Sequence, residues 1–288
     1  MSTPRARRVL LTGASGLLGN TLAPALRRAD RQIITHGFRR EADVTFDLTN
    51  EAATHAELDR LQPDILINLV ALTSVEQCQQ APDQAYRINV RTTEILARWV
   101  TRHPACFLVH ISTDHVYDGR GEQREDDVRL TNVYAFSKYT SELAACHAGG
   151  IVLRTNFFGP SQLPGRASLS DWILENLRFE KPITLFNDIF FSPLSLATLT
   201  AMISTVVDRR IPGLFNLGSH AGLSKCDFGF ALATAFQLPT THVTIAASNF
   251  SIYRPKDMRM DVGLFENTFG VRLPTLGDEI SALSAPRR

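Results

Sequence analysis

No stretch of the chain approaches the ~20 consecutive apolar residues of a membrane-crossing helix. The basic residues at the start are followed by only three apolar ones, Val9 to Leu11, before the first glycine turn, too few for the core of a secretory signal. An excess of one charge is also lacking. The 30 Lys and Arg against 29 Asp and Glu leave a net charge of +1, so bulk attraction to nucleic acid or an anionic membrane is not expected. Cysteine is sparse: Cys78, Cys106, Cys146 and Cys226 form no C-x-x-C pair. That argues against a zinc cage or redox couple and suits buried thiols in a reducing compartment. No repeat or low-complexity tract occurs. What remains is 288 residues with 44% hydrophobic content, enough for a sizeable core. These features imply a soluble, cytoplasmic protein with no metal, nucleic-acid or membrane partner.

The positive signal begins at Val9-Leu10-Leu11-Thr12-Gly13-Ala14-Ser15-Gly16-Leu17-Leu18-Gly19. It reads as a buried strand entering a G-x-x-G-x-x-G turn and then a helix. Gly13 supplies positive φ, Gly16 admits a phosphate and Gly19 lets helix and strand pack closely. Such a turn aims a helix N-terminus at a pyrophosphate. A helix is expected over 17–29, with Pro24 shortening or kinking it. Strands are expected at 32–35, 44–46, 64–70, 106–111 and 151–155, with helices at 82–102 and 137–147. Their near-continuous apolar character predicts an α/β doubly wound parallel sheet of the Rossmann type, with a smaller C-terminal substrate-binding lobe. The expected division is a dinucleotide-binding domain over 1–158, with later returns from about 190–220, and a lobe over 159–288. Within that lobe, 159–165 reads as a loop, 170–179, 196–208, 227–236 and 278–283 as helices, and 183–186 and 213–217 as strands. The last residues, 285–288, read as a tail.

The end of the second strand, Thr35-His36-Gly37-Phe38-Arg39-Arg40, carries no acid before Glu41. An NAD-preferring unit places a carboxylate there for the ribose hydroxyls, whereas Arg39 and Arg40 suit a 2′-phosphate. NADPH is therefore expected, with NADH still admissible. Asp47 is placed to reach the adenine amino group.

Tyr134 and Lys138 share a helix face at i,i+4. A cation beside a tyrosine favours the phenolate, which makes the phenol usable as a proton donor to a carbonyl near neutral pH. The preceding strand ends in Ser112, Thr113 and Asp114, where open α/β sheets bind ligands.

Together the glycine turn, Asn68-Leu69-Val70-Ala71, Asn89-Val90-Arg91-Thr92-Thr93, Ser112-Thr113-Asp114-His115-Val116-Tyr117-Asp118-Gly119, Asn132-Val133-Tyr134-Ala135-Phe136-Ser137-Lys138, Leu153-Arg154-Thr155-Asn156-Phe157-Phe158-Gly159 and Arg254-Pro255-Lys256-Asp257-Met258-Arg259-Met260-Asp261 resemble the extended short-chain dehydrogenase/reductases. The nearest likeness is to the dTDP-4-dehydrorhamnose reductases. The resemblance implies hydride transfer from NADPH to the ketone of a nucleotide-activated 4-keto-6-deoxysugar. Tyr134 is then the general acid, Lys138 binds the nicotinamide ribose, Thr113 orients the carbonyl, and Asn89 supports a proton-relay water. It also implies that Gly13, Ser15, Gly16, Leu17, Leu18, Gly19, Arg39, Arg40, Asp47, Leu48, Val70, Ala71, Leu72, Asn89, Ser112, Tyr134 and Lys138 hold the cofactor. Thr73, Ser74, Val75, Glu76, Thr113, His115, Tyr134, Phe157 and Arg254 line the substrate side, Arg254 either on a phosphate or in a structural ion pair.

Departures from the family pattern occur at His115, where a second aromatic is usual, at Phe157, where tryptophan is usual, and in Asp188-Ile189-Phe190-Phe191-Ser192-Pro193-Leu194, which implies a greasier pocket. Asn20 or Thr21 stands where some members carry an acid that binds magnesium between subunits. A metal-bridged dimer is thus not expected, and a homodimer of another kind stays open. Two alternatives remain. One is an epimerase or dehydratase of the same superfamily. The other is a non-catalytic NADP-binding regulatory subunit, like that of methionine adenosyltransferase.

Overall fold

The structure, a computed structural model, describes residues 5–38 and 42–285. The chain divides into two compact units. The first takes residues up to Ser112, Asn132–Leu153 and Thr200–Leu214; the second takes Thr113–Thr131, Arg154–Leu199 and Phe215 onward.

The first unit is built on β1 (Arg7–Thr12), β2 (Arg31–Gly37), β3 (Val44–Thr45), β4 (Ile65–Asn68), β5 (Phe107–Thr113) and β6 (Ile151–Thr155). With the strand Gly213–Leu217 they form a seven-stranded parallel sheet, ordered Gly213–Leu217, β6, β5, β4, β1, β2, β3. Val9 pairs with Ile33 on one side and Ile65 on the other. Strand order therefore reverses beside β1, and in such sheets ligands bind beyond the carboxyl ends at that point. Val9, Leu10, Leu11, Ile65, Leu66 and Ile67 are fully buried, as expected where helices cover both faces. The fold class expected from the strand pattern is the one found.

The helices of this unit are α1 (Leu17–Leu26), α2 (Glu51–Leu61), α3 (Val75–Gln80), α4 (Pro82–Ala85), α5 (Thr92–Arg102) and α6 (Val133–His147). α1 stops three residues short of the expected end, because the Arg27 N–H turns back to the Pro24 carbonyl at 3.2 Å. The single helix expected over 82–102 is three pieces: α4, a π turn at Tyr86–Arg91, and α5. β5 runs two residues past its expected end and so carries Ser112 and Thr113. α2 and α3, absent from the sequence reading, start on side-chain caps, Asn50 to Ala53 N–H and Ser74 to Gln77 N–H. Each such cap contributes roughly 1 kcal/mol. Arg31, its side chain buried, meets Asp208 at 2.6 Å and so pins the late segment of this unit.

The second unit holds three small pairings: Leu194–Ser195 with Phe157–Phe158, Leu223–Ser224 with Phe190–Phe191, and Val243–Ala246 with Ile183–Phe186. Its core centres on Phe228, which meets Phe158 and Phe191 edge-on at 5.1 and 5.2 Å. Burial of each such ring contributes roughly 1.5–3 kcal/mol. Leu169–Arg178 starts on a Ser168/Asp171 capping box, and Lys225–Ala235 and Leu276–Ser284 pack against the same core. Of the stretch read as a greasy pocket, Ile189 and Phe191 belong to this core and Leu194 is also buried, whereas Phe190 is half-buried.

Cys78, Cys106 and Cys226 are buried, but Cys146 is exposed on α6, contrary to expectation. Burial, helped by Asp64, pushes the Cys106 thiol up to about 12. Among the described residues no helix is long and apolar enough to cross a membrane, and none of their His, Cys, Asp and Glu groups could hold a metal.

Candidate active site

In the first unit the glycine turn leaves β1 with Gly13 at φ 71°, where a Cβ would lie 3.1 Å from the Val70 nitrogen. A Cβ on Gly19 would lie 2.5 Å from the Gly13 carbonyl oxygen, so α1 can approach the turn only with glycine there. Gly16 is the N-cap of α1 and no side chain caps the helix. The first-turn N–H groups of Leu17, Leu18 and Gly19 are thus left for an outside acceptor, with the helix dipole favouring an anion. Ser15 lies in this turn, and Leu48 is buried.

Beyond β4, Val70, Ala71 and Leu72 are half-buried. Asn89, fully buried in the π turn, accepts from the Leu72 N–H at 2.6 Å and donates to the Leu72 carbonyl at 3.1 Å and the Ser137 hydroxyl at 2.8 Å. Through these bonds its amide ties the loop after β4 to α6. One Asp47 oxygen accepts from the Thr49 N–H and hydroxyl, at 2.9 and 2.8 Å, so the carboxylate shapes its own turn. Thr73 is exposed, Glu76 is half-buried and accepts from the Ser74 hydroxyl, and Val75 is a buried core residue. Arg39 and Arg40 lie outside the described residues.

α6 carries Tyr134 and Lys138, both buried, after an Asn132 cap on the Ala135 N–H. A buried network surrounds the lysine and its protons can be assigned. Asn68 Oδ1 accepts from the Thr12 hydroxyl and the Val70 N–H, so its NH₂ donates to Thr93 Oγ1 and, at 3.2 Å, to His110 Nδ1. The His110 proton then sits on Nε2 and points to Ser141 Oγ at 3.0 Å, whose own proton goes to the Lys138 carbonyl. Burial and the nearby ammonium hold His110 well below the ordinary histidine range, hence neutral. Lys138 Nζ donates to the Ile111 carbonyl at 2.8 Å. Its 3.4 Å approach to Nε2 faces an N–H and is no hydrogen bond. Two ammonium hydrogens therefore have no acceptor among the described residues. Desolvation pushes Lys138 down to about 8, opposed by Glu142, which is buried and also accepts from the Ser112 hydroxyl. Glu142 was not singled out in the sequence, although Tyr134, Lys138 and Glu142 recur every fourth residue along α6.

In the second unit Thr113 opens a short 3₁₀ turn, Asp114–Val116, and its hydroxyl accepts from the His115 N–H at 3.2 Å. Asp114 is fully buried; its oxygens accept from Asn156 Nδ2 at 2.7 Å and Thr113 Oγ1 at 3.3 Å. Burial pushes His115 below its ordinary range. Phe157 and Arg254 are half-buried, with the Arg254 guanidinium 4.5 Å from the centre of the Phe250 ring. Asp114, read from the sequence at the ligand-binding end of its strand, and Lys225, not singled out there, both act electrostatically on His115, as does Arg254. Lys225 had no findable signal, because it begins a helix more than a hundred residues beyond the Thr113 motif.

A doubly wound α/β sheet, an uncapped glycine-turn helix and a buried Tyr-x-x-x-Lys pair define a protein of the short-chain dehydrogenase/reductase class. The model of the family described as RmlD substrate binding domain matches residues 7–286, and the chain belongs to that family. It is 26% identical over 297 residues to a probable low-salt glycan biosynthesis reductase of Haloferax volcanii, covering 96% of each chain. It is 27% identical over 292 residues to methionine adenosyltransferase 2 subunit beta of Pongo abelii, covering 92% of this chain and 83% of that one. The fold matches a dTDP-4-dehydrorhamnose reductase of Bacillus anthracis, solved in complex with NADP, with a TM-score of 0.86 at 21% identity over 96% of this chain and 98% of that one.

Proposed function

We propose that the protein is an NADPH-dependent reductase acting on the ketone of a nucleotide-activated 4-keto-6-deoxysugar. The observation that carries this reading is Lys138: a buried ammonium with, among the described residues, a single acceptor for its three hydrogens, and Tyr134 one turn before it on the same helix. A buried donor left unsatisfied is costly, and the two hydroxyls of a ribose would satisfy the other two. The dinucleotide fits this unit on a second ground, since the first-turn N–H groups of α1 suit its pyrophosphate. Arg39 and Arg40 are the proposed partners of a 2′-phosphate. The cofactor, when bound, supplies the hydride.

Tyr134 gives its phenolic proton to the oxygen that becomes the alcohol, and Lys138 holds the ribose and favours the deprotonated phenol afterwards. Asn89 holds the Leu72 loop in place, and Glu142 holds Ser112 and keeps Lys138 charged. On the substrate side, Thr113 orients the carbonyl, and Arg254 is the proposed contact for a phosphate of the sugar nucleotide. Cytoplasmic location belongs to the same proposal.

The test is to mix the protein and NADPH with a panel of nucleotide 4-ketosugars and follow nicotinamide oxidation. Oxidation with at least one member is expected. None across the panel would transfer weight to a second reading, a dinucleotide-binding regulatory subunit, supported by the 27% identity to methionine adenosyltransferase 2 subunit beta.

A further inference from the structure

The loop that carries Arg254 in the second unit is held by two aspartates. Residues 247–256 contain no helix or strand, so side chains must set their path. Asp188 joins the two ends of the loop. One of its oxygens accepts from the Ser248 N–H at 2.8 Å, and the other from Lys256 Nζ at 2.6 Å and the Ser248 hydroxyl at 3.1 Å. Asp118 grips the stretch around Arg254, accepting from the Tyr253 hydroxyl at 2.8 Å on one oxygen and from the Lys256 N–H at 2.7 Å on the other. Pro255, between those two anchors, restricts the Arg254 backbone to extended conformations. The Arg254 guanidinium rests 4.5 Å from the centre of the Phe250 ring, which is itself edge-on to Phe186 at 5.2 Å. Phe250 and Tyr253 are nonetheless exposed. Ordering such a loop costs conformational entropy, and exposed rings offset little of it through burial. The anchoring therefore serves what the loop presents.

Asp118 stands five residues after Thr113, just beyond the 3₁₀ turn that Thr113 opens and that the Tyr117 N–H closes on the Asp114 carbonyl at 3.0 Å. One side chain thus ties the segment of Thr113, the proposed carbonyl contact, to the segment of Arg254, the proposed phosphate contact. The task needs a carboxylate, because both partners are donors and an amide offers a single acceptor oxygen. Contacts ordered before the ligand arrives bind it more tightly. We propose that Asp118 is a positioning residue for the sugar nucleotide, one that holds Arg254 at a fixed place relative to Thr113 so that the guanidinium meets a phosphate without further ordering. This deepens the sugar-nucleotide reading and rests on it.

The experiment is a double-mutant cycle read by isothermal titration calorimetry on the full-length protein loaded with NADP⁺. The probes are dTDP-glucose and UDP-glucose, and the wild type is expected to bind at least one. Arg254→Met should weaken that probe by about 10- to 100-fold, the range for a charged hydrogen bond. Asp118→Asn should weaken it by about 3- to 10-fold, the range for one lost hydrogen bond. It should add no further loss on top of Arg254→Met, because a positioning residue has no effect once the group it positions is gone. Tyr253→Phe removes one of the two donors and leaves the carboxylate in place. It should show the same dependence on Arg254, and it decides the matter if Asp118→Asn does not fold. NADPH affinity, titrated separately, should be unchanged in every variant. An equal Asp118→Asn loss with and without Arg254 would overturn the proposal, as would no loss, or a loss shared by NADPH. Wild-type affinity in Arg254→Met would remove the phosphate contact and the positioning role with it. A wild-type protein that binds neither probe would instead sink the sugar-nucleotide reading, and the proposal with it.

Discussion

At Lys138 burial and function oppose each other. Desolvation favours the neutral amine, while the proposed ribose binding and support of a phenolate need the ammonium. Glu142, the neighbouring carboxylate, offsets part of the desolvation. With Lys138 at about 8, the protonated fraction falls as pH rises through that value. The expected outcome is a kcat/KM for NADPH that is flat on the acid side of pH 8 and declines above it. Glu142→Gln should move that decline to lower pH, because it removes the charge that favours the ammonium; a pH profile of both proteins checks the direction. Tyr134→Phe should lower turnover by about 10² to 10⁴, the range for losing a general acid, while NADPH binding measured by fluorescence titration stays close to wild type. Tyr134 and Lys138 were legible in the sequence because one helix turn brings them together. The electrostatic effect of Asp114 on Lys225 was not, because the two stand on segments far apart in the chain.

Among the elements, α1 with its turn was the most readable, since glycine spacing expresses backbone need directly. Gly13 takes the positive φ expected of it, and Gly19 has backbone atoms of Gly13 and Ala14 where a Cβ would go. Gly19→Ala is expected to destabilise the protein by about 1–3 kcal/mol through overpacking. It should also weaken NADPH by tilting the open helix end; thermal denaturation and a cofactor titration read the two effects separately. The helix after Pro82 shows the limit of pattern reading. Apolar periodicity registers helix and does not distinguish the π turn that seats Asn89 among Leu72 and Ser137. α2 was missed because it buries only Thr54, Leu58 and Leu61, so its apolar stripe is thin and its Asn50 cap carries much of the signal.

At the scale of the molecule, the second unit is assembled from three separated segments, an arrangement that strand periodicity along the chain does not reveal. Asn216, fully buried in the last of them, reaches the first through its side chain. Its Oδ1 accepts from the Tyr117 hydroxyl at 2.6 Å, and its Nδ2 donates to the Gln123 and Asp261 carbonyls at 3.0 Å. Arg154, from the middle segment, donates to the Tyr117 hydroxyl at 2.7 Å and to the Glu125 carbonyl at 2.6 Å. Asn216→Ala would remove the acceptor of the buried Tyr117 hydroxyl and the side-chain donor to the Asp261 carbonyl, each costing about 1–3 kcal/mol, whereas the Gln123 carbonyl keeps the Asp261 N–H at 2.9 Å. Water entering the vacated space would recover part of that. The expected net loss is about 3 kcal/mol, read as a lower urea midpoint with an unchanged slope. Asn216→Asp should recover less than half of it, because a carboxylate can take the Tyr117 proton but meets the Gln123 and Asp261 carbonyls with no hydrogen to give. A wild-type midpoint in Asn216→Ala would mean that these side-chain bonds do not hold the first segment to the last.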